Sequence, residues 1–260
     1  MSRNYYIIPI FVTHRGCPHK CVFCNQKSIT GKSGNVTGED VRKIAEDYIK
    51  TIDMSNNPTV EISFFGGSFT GIPMEKQNEL LEVAKEFKDK GLVKYIRMST
   101  RPDYIDDTIL SNLKRYSVDI IELGVQSMNK DVLIKSERGH TREDVITASH
   151  LIKKYNIRLG LQMMLGLPGD TAEKDIETAK EFLALKPEMV RIYPSLVIKN
   201  TPMEDLYHEG KYMPYSLDYT IRICKSLLGI FTANDINVIR IGLQPTYEIN
   251  YGRELVAGPF

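Results

Sequence analysis

A parallel α/β sheet of six βα units, covered by helices, is the fold class this sequence predicts. Two observations predict it. Short runs rich in β-branched and aromatic residues alternate with helix-period segments along the chain. The glycine-rich and polar turns also recur at one kind of place, just after each strand-like run. Six βα units are too few for a full eight-stranded barrel, so an open or partial barrel fits the count.

Taken in order, Tyr5–Val12 is a strand that feeds a loop holding Cys17, Cys21 and Cys24. Thr37-Gly38-Glu39-Asp40 is a capping box, followed at helical spacing by Val41, Ile44, Ala45, Tyr48, Ile49 and Ile52. Thr59–Phe65 is the second strand and Gly66-Gly67 stops it. Met74–Lys90 is a helix with Leu80, Leu81, Ala84 and Phe87 on one face, and Gly91 ends it.

Val93–Met98 is the third strand, followed by a short helix over 105–116; Val118–Leu123 is the fourth. Thr141 caps a helix whose apolar face is Val145, Ala148, Leu151, Ile152 and Tyr155. Arg158–Leu165 is the fifth strand, closed by Gly166-Leu167-Pro168-Gly169, and the Met163-Met164 pair inside it reads as core. A helix over 171–185, a sixth strand at Met189–Tyr193, a helix over 217–231 and one more strand at Val238–Ile241 complete the series. With no linker, repeat or low-complexity segment, residues 1–260 read as one domain.

The 260 residues are 42% hydrophobic and 26% charged, enough for one large core. The net charge is +1, so no overall basic excess announces nucleic acid, although a local patch would be averaged away. The apolar run Tyr5–Val12 contains Pro9 and is too short to span a membrane, and it lacks the layout of a signal peptide. No membrane association is expected. Four cysteines, three of them clustered, do not make a disulfide framework and point to a reducing cytoplasm. Cys224 shares an apolar helix face with Ile221, Leu227 and Phe231, and reads as a buried structural thiol. His140 and His150 flank a helix start and receive no role.

The cysteines carry the chemistry. Cys17, Cys21 and Cys24 stand at C-x3-C-x2-C spacing. Thiolates hold iron–sulfur clusters or zinc. A structural zinc site wants four ligands, whereas three thiolates on a four-iron cluster leave one iron open. A zinc reading would recruit His19, folded back inside the three-residue spacer.

This spacing, with Phe23 just before the last cysteine, resembles the radical S-adenosylmethionine (radical SAM) superfamily. The resemblance implies a partial barrel of six strands. It also implies a [4Fe–4S] cluster on Cys17, Cys21 and Cys24, and SAM whose amine and carboxylate bind the open iron. One electron then breaks the sulfonium to give methionine and a 5′-deoxyadenosyl radical. The electron would come from a donor such as a ferredoxin or flavodoxin.

Further positions are carried over on the same footing. Gly66, Gly67 and Ser68 resemble the glycine-rich segment that receives the amino end of SAM, with Ser68 where Glu or Thr is common. Phe11 and Phe23 would pack near the cluster and the adenine. Glu122-Leu123-Gly124-Val125-Gln126-Ser127 is similar to a segment of the coproporphyrinogen dehydrogenase and Elongator branches, in which Gln126 would approach the SAM ribose or carboxylate. Arg138 matches an arginine that contacts the SAM carboxylate. Ser99 stands where related families carry a ribose-binding Glu, and Gln162 where a relative has Asp. Serine hydrogen-bonds a hydroxyl more weakly than a carboxylate does.

Arg191-Ile192-Tyr193-Pro194-Ser195-Leu196-Val197-Ile198, with Thr201-Pro202 and Leu206-Tyr207, resembles the Elongator catalytic-subunit (Elongator protein 3) family, which modifies the wobble uridine of transfer RNA. The resemblance runs from about Tyr5 to Phe260 and covers the radical SAM part of that family, not its acetyltransferase domain. The end, Leu255–Phe260, is similar to an interior segment of the family, which implies a chain cut short there. The expected function is therefore radical SAM catalysis, as oxidoreductase or transferase, with the substrate unassigned and an RNA base, the tRNA wobble uridine, the one the Elongator resemblance implies. The rivals are a porphyrinogen-oxidising relative, whose branch usually has a cysteine where Gln26 stands, and a non-catalytic, zinc-stabilised RNA-binding module, which needs a fourth ligand and a basic face.

Overall fold

The computed structural model describes residues 4–12, 21–25, 36–243, 250 and 253–260. β1 (Tyr5–Val12) leads, after the cysteine segment, to α1 (Gly38–Ile49), β2 (Thr59–Gly66), α2 (Met74–Asp89) and β3 (Tyr95–Thr100). There follow α3 (Asp107–Arg115), β4 (Ile120–Gln126), the short α4 (Lys130–Lys135), α5 (Arg142–Lys154), β5 (Arg158–Leu165), α6 (Ala172–Leu185) and β6 (Met189–Pro194). The last elements are β7 (Val197–Ile198), α7 (Pro202–His208), α8 (Leu217–Thr232), β8 (Asn237–Ile241) and β9 (Leu255–Ala257).

The main sheet has the order β1-β2-β3-β4-β5-β6-β8, every neighbouring pair parallel. The parallel partial barrel expected from the sequence is present, with seven strands rather than six. The extra strand is the run at Val238–Ile241, which joins β6 as β8. A separate antiparallel pair, β7 and β9, lies outside that sheet.

Local signals fix the helix starts. Thr37 and Thr141 form reciprocal capping boxes with Asp40 and Asp144. Asp106, Thr171 and Ser216 each accept a backbone N–H at the first turn of α3, α6 and α8. The helices cover one face of the sheet. Ile8, Ile10, Ile62, Phe64, Ile96, Met98, Ile121, Leu123, Leu161 and Met163 point into that layer and are buried with Leu80, Leu81 and Phe182. Cys224 is buried there with Leu227 and Phe231, and burial pushes its thiol up to about 11, in keeping with an inert structural cysteine. Ile221, placed on the same face by the sequence pattern, is instead exposed: the α8 stripe runs through Thr220, Ile223, Cys224 and Leu227. Met164 likewise leaves the core, because strand alternation turns it away from Met163 to the half-buried opposite face.

That opposite face lines the concave side of the sheet. Residues of the same parity meet across it: Phe11 pairs with Phe65, Ser63 with Arg97, Ser99 with Glu122, Gly124 with Gln162, and Gln162 with Arg191. Among the described residues no helix is long and apolar enough to cross a membrane.

Candidate active site

The floor of the concave face is an ion-pair network. Arg191 grips Glu122 with Nε on Oε2 at 2.6 Å and Nη2 on Oε1 at 3.1 Å. Arg97 bridges two carboxylates, donating from Nη1 to Glu122 Oε1 at 2.8 Å and from Nη2 to Glu61 Oε2 at 2.9 Å. Ser63 Oγ donates to Glu61 at 2.6 Å, and the Tyr5 hydroxyl also donates to Glu61. Two guanidinium groups thus balance two carboxylates. Burial pushes the Glu122 carboxyl upward, but Arg191 and Arg97 outweigh it and hold its pKa below the usual carboxylate value. Gly160 makes the arrangement possible, since a Cβ there would lie 2.8 Å from Glu122 Cγ.

Gln162 and Ser99 sit directly on this floor. The Gln162 amide donates to Glu122 Oε2 at 3.0 Å and to Ser99 Oγ at 3.3 Å. The two positions where the sequence departs from its relatives are therefore neighbours across β3, β4 and β5. Arg191 also reaches the Tyr193 hydroxyl at 3.4 Å and lies over the Phe65 ring at 5.5 Å.

At the carboxyl ends of the strands the backbone changes character. Gly66 has φ +105°, and a Cβ there would meet the Val12 carbonyl oxygen at 2.9 Å, so only glycine lets β2 turn this closely against β1. Gly67 donates its N–H to the same carbonyl at 2.9 Å. Ser68 is buried at the start of a single 3-10 turn, 69–71. Gln126 ends β4 at a register shift, with φ +70°. Its buried Oε1 accepts no hydrogen bond among the described residues. A left-handed non-glycine residue with an unpartnered buried amide oxygen, at the carboxyl end of β4, makes Gln126 a candidate ligand-binding position.

The cysteine segment meets this rim. Cys21 is buried and Cys24 half-buried; the Cys24 N–H donates to the Cys21 carbonyl at 2.9 Å, closing a turn. Cys17 and His19 lie outside the described residues. The turn is held from two sides, with Val22 N–H on Ser136 O at 3.2 Å and Met203 N–H on Val22 O at 2.9 Å. Arg138, itself buried, donates from Nη1 to Cys21 Sγ at 3.2 Å and from Nη2 to the Gly124 carbonyl.

Phe11 and Phe23 belong to different groups. Phe11 is 38% exposed on the concave face, its ring 6.4 Å from that of Phe65. Phe23 packs against the cluster of Val22, Val197, Met203 and Tyr212. The sequence reading missed the floor of Glu61, Arg97, Glu122 and Arg191. Its signal was present as charged residues at period two inside apolar strands, continuing into Ser63, Ser99, Gly124, Gln162 and Tyr193.

A curved parallel sheet, a polar lumen and a thiol turn at the carboxyl-end rim define a class: barrel enzymes that hold a thiolate-bound metal centre at the mouth of the lumen. The chain belongs to the Radical SAM superfamily, whose pattern matches residues 11–183, and the Radical SAM C-terminal domain matches 187–260. A tRNA uridine(34) acetyltransferase of Methanocaldococcus jannaschii is 28% identical over 255 residues, covering 84% of this chain and 47% of the relative. Elongator complex protein 3 of Bos taurus is 32% identical over 192 residues, 66% of this chain and 35% of the relative. The chain thus spans about half, or less, of the length of these curated relatives. Among solved structures, the archaeal Methanocaldococcus infernus Elp3 with an N-terminal deletion superposes with TM-score 0.72 at 23% identity, over 97% of this chain and 59% of that one, which shows the shared fold.

The superfamily uses a [4Fe–4S] cluster and SAM, and these are the cofactors of this chain. The donor set fits them: Cys21 and Cys24 stand in one turn, and the Cys21 sulfur faces a guanidinium donor, which suits an anionic thiolate ligand.

Proposed function

We propose that Cys17, Cys21 and Cys24 hold the cluster and that the chain cleaves SAM reductively, directing the radical at a base of tRNA. When bound, the cluster supplies the electron that breaks the SAM sulfonium to methionine and a 5′-deoxyadenosyl radical. The observation that carries this reading is the position of the Cys21–Cys24 turn, held at the mouth of a lumen by backbone bonds from Ser136 and Met203. Gly66, Gly67 and Ser68 shape the turn that receives the amino end of SAM. Gln126 offers its unpartnered amide oxygen to a donor of the ligand. Gln162, held by Glu122, and Ser99, bonded to Gln162, face the ribose, and Arg138 stands near the carboxylate. Phe11, on the lumen face, and Phe23, beside the cysteine turn, pack near the adenine and the cluster from separate sides.

Residues 1–260 act as one unit in this reading, because β6, from the C-terminal match, extends the sheet built by the N-terminal one. The tRNA substrate is supported by the names of the relatives. The electron would come from a small donor protein of the ferredoxin or flavodoxin class.

The test is anaerobic reconstitution with iron, sulfide, SAM and dithionite, followed by detection of 5′-deoxyadenosine. Release by the parent and its loss in Cys24→Ala is the expected result. Stoichiometric zinc without iron, and no 5′-deoxyadenosine, would overturn the reading.

A further inference from the structure

The guanidinium of Arg138 occupies an unusual place. It is 6% exposed, and its two terminal nitrogens donate to a backbone carbonyl and to the sulfur of Cys21, a residue 117 positions away. Arginine stays charged at every working pH, and burying that charge is costly unless an anion faces it. The Gly124 carbonyl carries no net charge. A cluster-bound cysteine sulfur does, since metal-ligating cysteine is a thiolate.

The neighbours hold Arg138 in this pose from behind. Its N–H donates to Leu133 O at 3.0 Å, closing the end of α4. Its carbonyl accepts from Arg101 Nη2 at 2.6 Å. Arg101 is fixed in turn by a two-point contact with Asp103, at 2.9 Å for each bond. Two residues before Arg138, Ser136 O accepts the Val22 N–H. The segment that aims the guanidinium is therefore the segment that clamps the cysteine turn, and donor and sulfur are fixed relative to one another.

We propose that Arg138 is a positioning residue that donates to the cluster-bound sulfur of Cys21 and raises the reduction potential of the cluster. This rests on the reading above that Cys21 is a cluster ligand. A donor on a ligating sulfur stabilises the reduced cluster more than the oxidised one, because the reduced form carries one more negative charge. A cluster that must give up an electron to SAM also has to be reducible by its donor, and Arg138 shifts that balance toward reduction. The role is distinct from a contact with the SAM carboxylate, because it operates before SAM arrives.

The experiment is an EPR-monitored redox titration of the anaerobically reconstituted, SAM-free protein, with iron content measured on each sample. Arg138→Gln should load iron like the parent and titrate at a lower potential, with the ratio of oxidised to reduced cluster at a fixed potential rising about tenfold, equivalent to about 59 mV for one electron. Arg138→Lys keeps the charge and loses the planar fork, so it should fall between parent and Arg138→Gln, and it decides the matter if Arg138→Gln does not fold. An unchanged potential in the folded variants, with only SAM affinity reduced, would overturn the proposal in favour of a carboxylate contact. Loss of iron from both variants with secondary structure intact would overturn it too, making Arg138 a requirement for assembly instead. A parent protein that holds no iron–sulfur cluster would refute the cluster reading itself, a result separable from either of these.

Discussion

The floor and the rim of the lumen are built on opposite principles. On the floor, Glu61, Arg97, Glu122 and Arg191 satisfy one another with short bonds, and Gln162 and Ser99 extend the same network. On the rim, Gly66 and Gln126 hold positive φ, the Gln126 amide oxygen is orphaned, and the cysteine turn is fastened through its backbone while the Cys21 sulfur faces Arg138. The floor spends its polar groups on itself and is preorganised. The rim keeps capacity for ligands. A buried network whose charges pair with one another rigidifies a core, and on this floor Arg97 Nε is the guanidinium nitrogen left without a partner among the described residues; strain and unmade bonds collect where binding occurs.

The largest contrast is expected from removing a rim cysteine. Cys24→Ala should abolish iron binding while leaving the thermal unfolding midpoint of the metal-free protein near that of the parent. Cys224→Ala should keep the iron. Iron analysis and calorimetry on the two variants measure both, and full iron in Cys24→Ala would erase the distinction between rim and floor.

The floor should respond the other way. Glu122→Ala leaves Arg191 and half of Arg97 buried without their anion, which costs about 3–5 kcal/mol for a broken buried pair. In a chain of this size that lowers the midpoint on the order of 10 °C. Denaturant unfolding of the metal-free protein checks it, and a loss under about 1 kcal/mol would show that the network is not the structural floor described here.

The remaining contrast concerns the first turn of α6, where Asp175 faces Asp170. Burial, reinforced by the neighbouring Asp170 carboxylate, pushes Asp175 up to about 9, and the Tyr215 hydroxyl donates to it at 3.2 Å. A carboxyl whose folded pKa is raised binds its proton more tightly in the native state. Its stabilisation is therefore complete below the ordinary value of 3.8 and is lost as the pH rises through about 9. Asp175→Asn is neutral and keeps an acceptor for Tyr215, so the stability of the parent relative to this variant should fall steadily across that window. Parallel unfolding curves at all pH values would contradict the raised pKa.

Much of this architecture was legible in the sequence, for identifiable reasons. β1 and β5 match their expected bounds, since each is a continuous apolar run between clear punctuation. Thr37 and Thr141 announce their helices through capping boxes. The short α4 and α7 were missed, because six or seven residues cannot display a helical period. They matter out of proportion to their length, for α4 leads directly into Ser136 and Arg138, and Met203 in α7 holds Val22. The cysteines and glycines of the rim could be read from local spacing. The floor could have been read from charges at alternate positions in β2, β3, β4 and β6. The bond between Arg138 and Cys21 could not, because nothing in a linear pattern joins residues 117 apart.

The central claim is that the rim holds a cluster with one iron left open for SAM. It is tested most directly by the EPR spectrum of the reduced, reconstituted protein recorded before and after SAM is added. Three protein thiolates predict that SAM binds the open iron and changes the g-values of the cluster signal. A spectrum that SAM leaves unaltered, in a protein carrying a full complement of iron, would contradict the account.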